Sequence, residues 1–136
     1  MEQLLIIIGA SIFGLLGLAH LLFTFFTNKF NAFNPDVTES MKGTSPVLTK
    51  ETTMWDAWVG FNASHSLGAI IIAAVYIPLA AFNMDVISHS FYYSLLLVTI
   101  SLAYLSLAYR YWFKVPLLGV GIATACFLGS IAVKIT

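Results

Sequence analysis

The chain has 136 residues, 60% of them hydrophobic and 9% charged, with a mean hydropathy of +0.92 and no formal net charge. A soluble domain carries roughly 25% charged residues, so a chain this apolar cannot cover a water-facing surface, and an integral membrane protein of one compact domain is expected. Balanced charge without a basic run excludes nucleic acid as a partner, and the single Cys126 permits neither an intrachain disulfide nor a redox motif.

Residues 4–26 form an uncharged run long enough to cross a hydrocarbon core of about 30 Å. Met-Glu-Gln before it lacks the basic region of a signal peptide, and the run is too long for one, so a retained span is expected. Gly9, Phe13, Gly17, His20, Thr24 and Thr27 recur at spacings of four and three, which places them on one helix face. Small residues on that face let a second backbone approach, and His20 is expected on the packed side.

Residues 28–52 are the long connection, with Lys29, Lys42, Lys50, Asp36, Glu39 and Glu51. Asn34-Pro35-Asp36 is a helix-start signal and Gly43 a stop. Phe30, Phe33, Val37 and Met41 fall at helical spacing, which predicts a short interfacial helix over 35–42. A connection of this length suits a binding loop or a solvated linker equally.

The second span covers 54–81. Thr53 and Asp56 nearly match a capping box, so Asp56 is read first as a helix-end residue. It shares a face with Gly60 and Ala63, opposite one made of Trp58, Asn62, His65, Ala69, Ile72 and Tyr76. Pro78 lies near the far end, and Phe82-Asn-Met-Asp85 leaves the membrane. In the third span, 90–110, Tyr93, Leu97, Tyr104 and Ala108, continued by Tyr111, lie on one face with Ser101 at its flank. Arg110 and Lys114 bracket a tight turn before the fourth span, 116–134, where Gly121, Ala125 and Gly129 form a stripe suited to helix contact. The predicted fold is all-α: an up-down four-helix transmembrane bundle with a short interfacial helix in its first loop.

Spans one and two are expected as antiparallel neighbours, so depth can be counted from their shared loop. His20 lies seven residues inside Thr27 and His65 seven inside Trp58, each roughly 10 Å deep. Tyr104 lies six residues inside Arg110, roughly 9 Å deep. Thr24 and Asn62 sit one turn shallower. The count predicts a polar layer of His20, Thr24, Asn62, His65 and Tyr104, and ionisable groups inside a membrane mark sites by default.

Three readings of that layer stay open. It binds a small molecule, a lipid or a quinone; it holds a bis-histidine haem on His20 and His65, with Gly17, Gly68 and Ala69 leaving room; or it only packs helices, as in a structural or accessory subunit. No other metal is expected, because a zinc site would find in Cys126 only a third ligand. No nucleophile, base and orienting acid converge, so no hydrolase is indicated and an enzymatic role is left undecided. Trp55, Asp56 and Trp58 form a second, outer candidate region at the mouth of the span.

Leu-Ala-His-Leu-Leu-Phe-Thr (18–24) and Met-Trp-Asp-Ala-Trp-Val-Gly-Phe-Asn-Ala-Ser (54–64) together resemble small bacterial inner-membrane proteins of about four spans, described only as uncharacterised integral membrane proteins. Those carry a histidine in span one and a Trp-Asp-x-x-x-Gly-Phe motif opening span two; the matching positions here are His20, Trp55, Asp56, Gly60 and Phe61. The resemblance covers roughly residues 10–75. It implies a fold and a location, without an activity. The equally small membrane-bound glutathione transferases differ by an arginine-rich second span, whose cations would bind the carboxylates of glutathione. The expected partners are the lipid bilayer and a small apolar or lipid-like ligand, with a second copy of the chain or a larger membrane complex also open.

Lys29, Lys42, Lys50, Arg110 and Lys114 fall on the side of the long loop, and only Lys134 falls on the other. The positive-inside rule therefore puts both termini outside the cytoplasm, with Trp55, Trp58, Tyr109, Tyr111 and Trp112 in the cytoplasmic aromatic belt. A tag at either terminus should be labelled from outside intact spheroplasts while a cysteine placed in 28–52 is protected. The converse labelling pattern would invert the topology.

Overall fold

A computed structural model describes residues 1–135, and every regular element among them is helical. The helices are α1 (Glu2–Phe26), α2 (Pro35–Gly43), α3 (Met54–Phe82), α4 (Met84–His89), α5 (Phe91–Tyr111) and α6 (Lys114–Ile135). α1, α3, α5 and α6 are long and apolar enough to cross a membrane. The shortest has 21 residues, or about 31 Å of helix against a core of about 30 Å. Only 28–33% of each span is buried within the chain. The apolar remainder, such as Leu15, Phe61 and Leu118, needs lipid around it. This is a multi-pass membrane protein.

The chain divides into two compact units. One combines Met1–Leu16 with the chain from Ala69 onward; the other is Gly17–Gly68. In the first, Phe13 meets Tyr104 edge-on at 5.3 Å and Phe127 at 6.0 Å between ring centroids. Small residues matter where backbones come close. A Cβ at Gly9 would enter the Phe127 ring, and Phe127 is itself fully buried. A Cβ at Gly14 would stand 2.7 Å from that of Ala73, and one at Gly119 would stand 2.8 Å from Leu16 Cδ1.

The stripe expected on α6 is corrected by these contacts. Ala125 is exposed, and a Cβ at Gly121 or Gly129 would meet only ordinary neighbours, at 3.9 and 3.5 Å. The buried face carries Val120, Ala123, Thr124, Phe127 and Ser130 instead, because seating the Phe127 ring against Gly9 fixes the rotation of α6. On α5, Ser101 is fully buried rather than flanking, and its carbonyl accepts a long 3.5 Å hydrogen bond from Thr124 Oγ1. Tyr111 is corrected too: it leaves the common face and is exposed, where its hydroxyl accepts from Arg110 Nε at 3.3 Å.

α4 was not foreseen, since six residues are too few to show a helical period. Side-chain donors from other elements also reach backbone carbonyls near the helix ends. Gln3 Nε2 donates to the Ala80 carbonyl at 2.9 Å. Lys134 Nζ donates to the Ile87 carbonyl at 2.6 Å and, at 3.4 Å, to the Ser90 carbonyl and Ser94 Oγ. Tyr76 Oη donates to the Tyr93 carbonyl at 2.9 Å.

Gly9→Val should lower stability in detergent by about 1–3 kcal/mol, the usual effect of overpacking. Gly60→Ala, where a Cβ meets nothing within 4 Å, should leave stability unchanged or raise it by up to about 1 kcal/mol. Thermal denaturation of the two variants beside the parent tests the contrast; equal midpoints would mean Phe127 is not seated on Gly9.

Candidate functional site

The unit Gly17–Gly68 joins the last turns of α1, the long loop with α2, and the first turns of α3. Asn34 and Pro35 start α2 as their chemistry requires: the Asn34 side chain accepts from the Asp36 N–H at 3.1 Å, and proline occupies the first turn. The expected short helix of the first loop is present, but it is seated through Thr38. That hydroxyl is buried and accepts from the Ala32 N–H at 3.1 Å. Phe33 and Val37 point outward. A cleft of about 290 Å³ lies beside α2, lined by Asn28, Asn31, Thr38, Glu39 and Lys42 among others; none of the predicted site residues borders it.

At the start of α3 the Asp56 N–H donates to Thr53 Oγ1 at 3.0 Å, while the Thr53 hydroxyl donates to Asp56 Oδ2 at 2.8 Å. Asp56 thus serves the helix end. Trp55 faces the Lys42 ammonium, 5.8 Å from its ring centroid. Trp58 reaches across the loop, its indole Nε1 donating to the Phe30 carbonyl at 3.0 Å.

Deeper in the same unit, His20 Nε2 and Asn62 Oδ1 are joined by a 2.9 Å hydrogen bond. Asn62 Nδ2 donates to the Trp58 carbonyl, one turn earlier, at 2.8 Å. The His20 ring packs against Phe30, centroids 4.3 Å apart, and against His65, 5.6 Å apart with 60° between planes. The contacts close a circuit: Trp58 holds Phe30, Phe30 covers His20, His20 bonds Asn62, and Asn62 returns to Trp58. Thr24 donates its hydroxyl to the His20 carbonyl at 2.8 Å, and the fully buried Ser66 donates to the Asn62 carbonyl at 2.7 Å.

Of the predicted layer, His20, Thr24, Asn62 and His65 thus share one unit. Tyr104 belongs to the other, where its ring meets Phe13. Phe30 and Ser66 are the residues that sequence reasoning left out of the site. Phe30 carried one signal, an aromatic ring just beyond span one and level with the belt.

His20, Asn62 and His65 are half-buried. Most buried hydroxyls of the spans, those of Ser66, Ser101, Thr124 and Ser130, donate to a carbonyl of their own helix three or four residues back. The histidine–asparagine cluster differs on both counts. It bonds between helices, and it is not sealed. Among the described residues no group of three or more His, Cys, Asp or Glu could hold a metal ion.

No protein-family model, curated protein or solved structure matches this chain.

Trp58→Phe keeps an aromatic ring and removes the donor to Phe30. It should lower stability by about 0.5–1.5 kcal/mol, one net hydrogen bond. Asp56→Ala should lower it by about 0.5–2 kcal/mol, as lost helix-start interactions do. Chemical denaturation in micelles reads both, and an unchanged midpoint for Trp58→Phe would show that the indole does not hold the loop.

Proposed function

We propose that this chain is a multi-pass protein of a bacterial inner membrane that binds a small lipid-like molecule with a polar headgroup, a quinone or a lipid, at the cluster of His20, Asn62 and His65. One observation carries the reading: two imidazoles and an amide stand together inside the spans, 2.9 Å and 5.6 Å apart, half-buried rather than sealed. Ionisable groups inside a membrane mark sites by default, and a half-buried cluster lies open to a headgroup arriving laterally from the bilayer. Thr24, whose hydroxyl bonds the His20 carbonyl, shapes the α1 side of the site. The bilayer location follows the resemblance at 18–24 and 54–64. Both termini are placed outside the cytoplasm by the five basic residues on the loop side against Lys134 on the other.

A second reading has its own support. The His20–Asn62 bond ties α1 to α3 directly, and such a bond in lipid is worth about 0.6–2 kcal/mol as packing alone. The protein would then be a structural or accessory subunit, alone as an oligomer or within a larger membrane complex. A bis-histidine haem on His20 and His65, whose ring centroids stand 5.6 Å apart, is a third reading, and a sharp Soret band in the purified protein would support it.

Substitution separates the first two readings. His65→Leu keeps approximate volume and removes both ring nitrogens. A binding site predicts that the variant remains folded, by circular dichroism, and loses affinity at least about tenfold for a short-chain quinone in either redox state, the loss of about one hydrogen bond. Asn62→Leu should weaken binding likewise, and Asp56→Ala should not. Binding untouched in His65→Leu but lost in Asp56→Ala would move the site outward to Trp55, Asp56, Trp58 and the loop.

A further inference from the structure

We infer that Asn62 is a positioning residue that fixes neutral His20 as the tautomer protonated at Nε2, so that Nδ1 is the ring atom through which His20 accepts a proton or a hydrogen bond. The argument runs outward from the Trp58 carbonyl. A carbonyl only accepts, and it has a second lone pair to offer beside the helical bond. The Asn62 side-chain atom 2.8 Å from it must therefore be the amide nitrogen. Turning the amide over would set two acceptors against each other at that distance, with no hydrogen between them. The amide oxygen is thereby committed to the other side, 2.9 Å from His20 Nε2.

That oxygen can only accept, so Nε2 must carry the hydrogen. A neutral imidazole has one N–H, and its other nitrogen is an acceptor. The backbone of α3 thus sets the protonation pattern of a ring on α1 through a single side chain. The same pattern lets His20 gain a proton at Nδ1 with the Asn62 bond intact.

The test uses the full chain, labelled with ¹⁵N-histidine, in lipid nanodiscs. Two-bond proton–nitrogen correlations report which ring nitrogen is protonated, and His20 is identified by the signals lost in His20→Gln. The expected result is a single neutral tautomer with the proton on Nε2, passing to a mixture in Asn62→Leu. A proton on Nδ1, or a mixture in the unaltered protein, overturns the inference. That result stands even where Asn62→Leu fails to fold.

Discussion

Within a bilayer, water is not available to satisfy a stranded donor or acceptor, and each unsatisfied group costs several kcal/mol. Asn62 is where that constraint is met most economically. One side chain satisfies a carbonyl of its own helix and a histidine of another, at 2.8 and 2.9 Å. Remove it and the polar atoms of His20 must find another partner in an environment with few. The indole of Trp58 extends the arrangement to the loop through Phe30, so the polar core of this unit is tied together by contacts from α1, α3 and the connection between them.

The other unit meets the same constraint differently. The buried hydroxyls of Ser101, Thr124 and Ser130 fold back on their own helices, which leaves those meeting faces to be decided largely by shape. Gly9 against Phe127, Gly14 against Ala73 and Gly119 against Leu16 are contacts of volume, with no direction of their own. Packing of this kind replaces the hydrophobic drive that lipid removes. Directional contacts then finish the helix ends, through Gln3 and Lys134.

Much of this was legible in the sequence because the signals are local. Four apolar runs, Asn34-Pro35 before α2, and the Thr53–Asp56 pair each state their role within a few residues. The placement of His20 beside Asn62 and His65 followed from counting depth along two spans that share a loop. What escaped needs information from distant parts of the chain. A four-residue spacing of small residues cannot say which face a helix will bury, and on α6 the bulk of Phe127 chose a face that leaves Ala125 exposed. Phe33 and Val37 have the right period for an inward face, yet Thr38 is turned in, because its hydroxyl finds the Ala32 amide. Ser101 looked peripheral because its carbonyl's partner lies 23 residues away.

The bond from Lys134 to the Ile87 carbonyl spans 47 positions, and it has a meaning in time as well as in space. Synthesis runs from the N-terminus, so the end of α4 exists well before the ammonium that caps it. Until α6 is threaded and its last turn arrives, the carbonyl of Ile87 is without that donor. The short helix between spans two and three is therefore completed only once the last turn of α6 has been made, and a ribosome that stops within α6 leaves that corner open.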